Sequence, residues 1–82
     1  MKQITVLFFA TLRDHMGMKQ ISIQIPDDTG VSQLKSILAD THPNAASVLD
    51  SALVAINREY AIGDEPISDG AEVALFPHVS GG

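Results

Sequence analysis

Hydrophobic and polar positions near the start of the chain predict two β-strands. Residues 4–12 are almost continuously apolar and rich in β-branched and aromatic side chains, which favours a strand covered on both faces. Residues 20–25 alternate strictly between polar and apolar side chains, so the three isoleucines in this segment would face inward from a half-buried strand. Residues 14–18 include Gly17 and predict a turn, and the two strands together predict a hairpin.

A helix is predicted after the second strand, because apolar side chains recur there at helical spacing. The stripe consists of Val31, Leu34, Ile37 and Leu38. Thr29 and Gly30 are competing N-caps. Pro43 ends the helix, since proline disfavours helical geometry at the residue before it. Residues 44–51 are ambiguous, with a short helical turn as one alternative.

The second half of the chain predicts three further strands. Residues 53–57 and 72–76 are apolar runs, and a short strand is expected near residues 60–62. Asp69 and Gly70 mark a tight turn before the last strand. The order β-β-α-β-β-β predicts an α+β fold, with a mixed sheet of four to five strands and one main helix packed on one face. The apolar first strand is expected in the middle of that sheet, between the second strand and the last.

Composition and charge narrow the functions that this chain can have. It has 82 residues, which fits one domain, and its formal net charge of −5 disfavours binding to nucleic acid. The charge either favours a basic partner or only keeps the protein in solution. No apolar stretch approaches the roughly 20 residues that span a bilayer, and we expect a soluble cytoplasmic protein. The chain has no cysteine, which excludes disulfides and thiol chemistry.

The chain ends in a short segment that follows the last strand. Pro77 ends that strand because it cannot donate a hydrogen bond to the sheet, so the sequence predicts a domain over residues 1–76 and a flexible tail over residues 77–82. Six residues reach up to roughly 20 Å. Gly81 and Gly82 carry no side chains, so a channel too narrow for a Cβ atom could admit them. The alternative is that two terminal glycines are accidental.

The last seven residues, Phe-Pro-His-Val-Ser-Gly-Gly, resemble a known family ending. A terminal diglycine that follows the order β-β-α-β-β-β resembles the ubiquitin-like β-grasp superfamily. The residues directly before the diglycine resemble those of the small subunit of molybdopterin synthase. Residues 7–13, 55–60 and 68–77 resemble further segments of that family. His78 departs from the family's terminal sequence, which usually has a second proline at this position.

The resemblance implies that the terminal carboxyl group of Gly82 is the reacting group. An activating enzyme would consume ATP to join AMP to it, and a sulfur donor would convert the adenylate to a thiocarboxylate. The tail would then enter the large subunit and give its sulfur to cyclic pyranopterin monophosphate, which becomes the molybdopterin dithiolene. The tail residues concerned are Pro77, His78, Val79, Ser80 and Gly81. The implied assembly is a heterotetramer of two small and two large subunits.

On this interpretation the chain is the sulfur-carrying subunit of a sulfurtransferase. The large subunit would supply the catalytic acid and base groups, and no cofactor would be bound permanently. The absence of cysteine agrees with this, because sulfur could then be carried only on the carboxyl end. Phe76, Leu75 and Arg13 are the candidate residues of the partner surface, since a sheet with one helix leaves its other face uncovered.

The remaining polar groups predict little chemistry. The three histidines lack the spacing of a metal site, and no metal is expected. The acidic pairs at residues 27–28 and 64–65 are interpreted as solvated surface, and Asp69 as a turn residue. Three alternatives stay open: a sulfur carrier for thiamine thiazole or tRNA thiolation, a ubiquitin-like protein modifier, or a β-grasp binding module whose ending has no chemistry.

Overall fold

The computed structural model describes residues 1–78 and contains five strands and three α-helices there. In chain order the elements are β1 (Lys2–Phe8), α1 (Thr11–Met16), β2 (Gln20–Ile25), α2 (Val31–Thr41), α3 (Ala46–Ser51), β3 (Leu53–Ile56), β4 (Glu59–Tyr60) and β5 (Glu72–Phe76). A short 3₁₀ turn, Pro43–Ala45, joins α2 to α3. Among these residues no helix is long and apolar enough to cross a membrane.

The five strands form one mixed sheet in the order β2-β1-β5-β3-β4. β1 runs parallel to β5, and all other neighbouring strands are antiparallel. The predicted fold class is confirmed, and so is the central position of the first strand between the second strand and the last. β3 turns into β4 through Asn57 and Arg58, whose φ angles of 51° and 71° are those of a type I′ hairpin turn.

One face of the sheet carries the core, which lies between the sheet and α2. The fully buried side chains include Ile4, Val6, Phe8, Leu34, Leu38, Leu49, Ile67, Val73 and Leu75. On the opposite face, here called the open face, Thr5 and Leu7 of β1 are only half-buried. The expectation that the first strand is covered on both faces is therefore wrong: its apolar side chains alternate between a buried core face and a partly exposed one.

The segment between β1 and β2 differs from the predicted turn. The strand ends at Phe8, and residues 11–16 form α1. Leu12 and Met16 are four residues apart on this helix and are both buried, which explains why a helical turn is stable here. Gly17 ends the helix in the left-handed conformation, with a φ of 73°. β1 and β2 are thus antiparallel neighbours joined by a helix.

The start of α2 is capped from a distant part of the chain. Gly30 is the N-cap residue and has no side chain to accept a hydrogen bond. The Asp64 carboxylate caps the helix in place of an N-cap side chain, because its Oδ1 accepts a bond of 2.8 Å from the Ser32 N–H group. A Cβ atom on residue 30 would lie only 2.6 Å from that oxygen, so any larger residue there would displace the Asp64 carboxylate from the cap.

The two loop carboxylates at residues 64–65 are exposed, as interpreted from the sequence, and each also accepts a hydrogen bond from a backbone N–H group. Glu65 accepts a bond of 2.6 Å from the Ile62 N–H group. Asp69 lies in the predicted turn, and its Oδ1 accepts a bond of 2.7 Å from the Gln3 N–H group of β1. The loop between β4 and β5 is thus fixed to both α2 and β1.

The end of α2 and the ambiguous segment after it are helical. His42 is the C-cap residue of α2, directly before Pro43, as the sequence predicts. Residues 46–51 form α3, which decides between the alternatives left open for this region. The Lys35 ammonium group donates bonds of 3.1 Å and 2.8 Å to the carbonyl oxygens of Asp50 and Ala52, and so fastens α2 to the end of α3.

The Asp64 cap gives a stability prediction. We expect Asp64→Ala to lower the free energy of unfolding by about 1 kcal/mol, the usual cost of losing an N-cap. Asp28→Ala is the matched control, because it removes the same charge from an exposed loop residue. Urea denaturation followed by circular dichroism measures both. Equal stability of the two variants would contradict the assigned role of Asp64.

Candidate functional site

Three aromatic side chains form a cluster on the open face of the sheet, here called the aromatic patch. The rings of Phe9 and Phe76 are stacked, with centroids 4.8 Å apart and planes 11° apart. The ring of Tyr60 lies 6.1 Å from that of Phe76, at 49°. Such offset pairs are favourable beyond their buried area. The patch therefore has a defined shape, although the Tyr60 side chain is 68% exposed.

The sheet register explains why these rings meet. Phe76 is the last residue of β5, and it faces outward because its neighbour Leu75 faces the core. The Phe9 N–H group donates a bond of 3.2 Å to the Leu75 carbonyl, which holds residue 9 beside the end of β5. Tyr60 reaches the cluster from β4, opposite Ala55 of β3. Two non-adjacent strands and a loop thus contribute one ring each.

Small side chains leave a shallow depression between the rings. Ala55 and Ala74 are paired across β3 and β5, and they form its floor. The depression has a volume of about 340 Å³, and its other lining residues are Leu7, Phe9, Arg58, Tyr60, Glu72 and Phe76. Its lining is mainly apolar, with one cation and one carboxylate among the lining residues. Such a surface is suited to burying an apolar segment of another protein.

The predicted partner residues are not all on this surface. Phe76 lies on the aromatic patch and is half-buried. Leu75 is fully buried in the core, so its assignment to the exposed surface is corrected. Arg13 is exposed on α1 and is not among the residues that line the depression. The sequence interpretation offered the exposed side of the first strand without naming Phe9, and it did not include Tyr60; the unbroken apolar run gave no signal for which side Phe9 faces.

The tail leaves the body directly beside the aromatic patch. Pro77 follows Phe76 and is half-buried, and His78 is exposed. The predictions that concern Val79, Ser80, Gly81 and Gly82 lie outside the described residues. The described part of the tail therefore begins at the edge of the apolar surface.

The backbone beside Phe9 is strained. Ala10 has a φ of 53° and a ψ of −130°, a conformation that side chains with a Cβ atom rarely adopt. The turn is closed by a bond of 3.1 Å from the Leu12 N–H group to the Phe9 carbonyl. Through this turn the chain leaves the sheet immediately after Phe9 and enters α1. The strained residue thus joins the aromatic patch to the helix.

The described residues offer no catalytic constellation of their own. Within residues 1–78 no group of three or more histidine, aspartate or glutamate side chains is placed to hold a metal ion. The ring nitrogens of His15 and His42 contact the Thr11 carbonyl at 2.7 Å and the Thr41 hydroxyl at 2.9 Å, which are local helix contacts. What this surface can do is bind another protein and present the segment that follows Phe76.

Comparison with known proteins gives consistent matches along the chain. Residues 6–82 match the profile of the ThiS family. The "Molybdopterin synthase sulfur carrier subunit" of Chlamydomonas reinhardtii is 34% identical, over 98% of this chain and 99% of that protein. The protein of the same name from Escherichia coli is 36% identical, over 96% and 99% of the two chains.

Solved structures agree on the fold. The "Putative molybdopterin converting factor, subunit 1" from Pyrococcus furiosus superposes with a TM-score of 0.85 at 25% identity, over 96% of this chain and all of that one. SAMP1 from Haloferax volcanii superposes with a TM-score of 0.80 at 30% identity, over 98% and 99% of the two chains.

The strain at Ala10 is testable. We expect Ala10→Gly to raise the free energy of unfolding by about 1 kcal/mol, because glycine adopts this backbone conformation without a Cβ clash. Ala46→Gly is the matched control on α3, where φ is −55°, and it should lower stability by about 0.5–1 kcal/mol. Thermal and urea unfolding measure both changes. A loss of stability in both variants would show that residue 10 carries no strain.

Proposed function

The chain belongs to the ThiS family, and from this premise we propose that it is the sulfur carrier subunit of a molybdopterin synthase. The observation that carries the proposal is the extent of the match, which runs across the body and through Gly82. Relatives named as molybdopterin synthase sulfur carrier subunits, at 31–36% identity, support the choice of pathway. The terminal sequence Val-Ser-Gly-Gly supplies the reacting group.

The proposed chemistry takes place at the terminal carboxyl group of Gly82. A carboxylate is a poor electrophile, so an activating enzyme must first make it reactive. Its oxygen attacks the α-phosphorus of ATP, pyrophosphate leaves, and an acyl-adenylate forms. A donor then supplies sulfur at the oxidation level of hydrosulfide, which attacks the carbonyl carbon; the bond to AMP breaks, AMP and a proton leave, and the thiocarboxylate remains. ATP is consumed in this step and is not a resident cofactor of the chain.

Delivery of the sulfur follows in the synthase large subunit. The aromatic patch docks on that subunit, and the tail that begins at Pro77 enters its active site. There the sulfur is transferred to cyclic pyranopterin monophosphate, and water restores the carboxylate. Two such sulfur transfers complete the dithiolene. The proposed assembly is a heterotetramer of two small and two large subunits, located in the cytoplasm. An enclosed site orients the thiocarboxylate and excludes water until transfer has occurred.

The proposal gives this chain the role of carrying sulfur and the large subunit the role of catalysis. The open face offers apolar contact area for the large subunit. The catalytic acid and base groups are assigned to the large subunit because the family resemblance implies it. The net charge of −5 favours basic surfaces on the large subunit and on the activating enzyme, because opposite charges accelerate encounter.

A second candidate function is protein modification. SAMP1, named in a related structure as "small archaeal modifier protein 1", has the same fold at 26–30% identity. A modifier would join the Gly82 carboxyl group to lysine side chains instead of giving up sulfur. Branched tryptic peptides that carry the tail on lysine would favour this function, and recovery of thiazole synthase in a pull-down would favour a carrier for thiamine synthesis.

The first test of the proposed function is the mass of the charged carrier. After incubation with ATP, activating enzyme and sulfur donor, we expect the intact mass to rise by about 16 Da, because one oxygen is exchanged for sulfur. The control is a variant with one residue added after Gly82, which removes the terminal glycine carboxyl and should not gain the mass. An unchanged mass of the native chain under these conditions would contradict the proposal.

The second test concerns docking. We expect Phe76→Asp to weaken assembly with the large subunit at least about tenfold, because a charge would be buried at the centre of the apolar contact. The domain should stay folded, since Phe76 lies on the open face. Ala46→Asp is the control on α3, where the side chain is exposed and outside the patch. Isothermal titration calorimetry measures both affinities, and equal binding by the two variants would contradict docking through the aromatic patch.

A further inference from the structure

The outer edge of β2 is free to pair with another strand. β2 lies at one end of the sheet and has β1 as its only neighbour among the strands of residues 1–78. Edge strands are usually blunted by charges or proline within the strand. The segment Gln-Ile-Ser-Ile-Gln, residues 20–24, has neither and is as long as a typical strand. The opposite edge strand, β4, has only two residues and includes Glu59.

The register shows which backbone groups of β2 are available. Phe8 donates a bond of 2.8 Å to the Lys19 carbonyl, and residue pairs of β1 and β2 alternate between bonded and non-bonded along the ladder. Residues 21, 23 and 25 therefore bond to β1. The N–H and C=O groups of Gln20, Ser22 and Gln24 point away from the sheet, which leaves three donors and three acceptors in a row.

The sequence of this edge is a palindrome. Read in either direction, residues 20–24 are Gln-Ile-Ser-Ile-Gln. Two copies arranged antiparallel about a two-fold axis at Ser22 would pair Gln20 with Gln24, and Ser22 with Ser22. These are the residues whose backbone groups are available, so six intermolecular hydrogen bonds would form. Ile21 would lie opposite Ile23 in the closer, non-hydrogen-bonded pairs.

The side chains at this edge also fit a second copy. Ile21 and Ile23 are only half-buried in the isolated domain, and pairing would cover both of them in each copy. The same arrangement places Lys19 of one copy opposite Ile25 of the other, next to the acidic residues Asp27 and Asp28. Backbone hydrogen bonds and apolar contacts are thus self-complementary in one register.

We propose that β2 is a dimerisation edge, through which two copies of this chain join their sheets antiparallel about Ser22. The sheets would form one ten-stranded sheet, with both open faces on the same side. The two β5 strands would lie five strand spacings apart, about 24 Å, so neither aromatic patch would be covered. The contact is small, below about 1,200 Å², and belongs to the weak, concentration-dependent class. Dimerisation through β2 does not depend on the proposed function.

Introducing a charged side chain of either sign at Ser22 tests the proposal. Ser22→Lys places two ammonium groups opposite each other across the axis, and Ser22→Glu places two carboxylates there. We expect each variant to raise the dimer dissociation constant about tenfold or more, measured by sedimentation equilibrium. An equimolar mixture of the two variants should associate again, because the opposed charges then attract. Ser36→Lys is the control, with the same charge change at an exposed position on α2.

Sedimentation of these variants distinguishes contact through β2 from contact through another surface. Recovery of association in the mixture, with a Ser36→Lys control that dimerises like the native chain, supports the proposal. A native chain that stays monomeric up to its solubility limit overturns it. A dimer that tolerates Ser22→Lys but dissociates on Phe76→Asp also overturns it, because the aromatic patch would then be the contact. Circular dichroism of each variant establishes that the domain is folded.

Discussion

The parallel pairing of β1 with β5 is the contact on which both the core and the candidate site depend. β5 lies between β1 and β3, so its alternate side chains close the core on one face and complete the open face on the other. Leu75 belongs to the first set and Phe76 to the second. Since Phe76 is the last residue of the strand, the pairing that completes the core also fixes where the tail begins. The closing of the core and the position at which the tail begins therefore both depend on the pairing of β1 with β5.

Local patterns were sufficient to predict most of the fold. The alternation along residues 20–25 and the stripe on α2 each reflect a single face packed on the core, and such periodicity is visible in the sequence. The helix α1 was not predicted, because an unbroken apolar run does not distinguish a strand from a strand followed by a buried helical turn. The change of direction occurs at Ala10, a residue type that carries no turn signal although its φ is positive.

The site was predictable only in part, because it depends on contacts between distant segments. Phe76 lies on the open face and Leu75 in the core, but separating the two required the register of β5 against its neighbours. Tyr60 joins the patch from another strand, and Asp64 caps a helix that begins 33 residues earlier in the chain, Val31 being its first residue. No local pattern encodes such pairs. The chemistry proposed for Gly82 rests on the resemblance of the terminal motif, which is a property of sequence and needs no coordinates.

The position of β5 between two partners has a mechanical consequence. A partner that grips the residues after Phe76 and pulls on them applies force along the axis of this strand. The strand is hydrogen-bonded on both sides, to β1 and to β3, so the load is shared by two rows of bonds in shear. An edge strand pulled sideways would instead lose its bonds one after another. The body of the protein can therefore stay folded under a pull on the residues that follow Phe76.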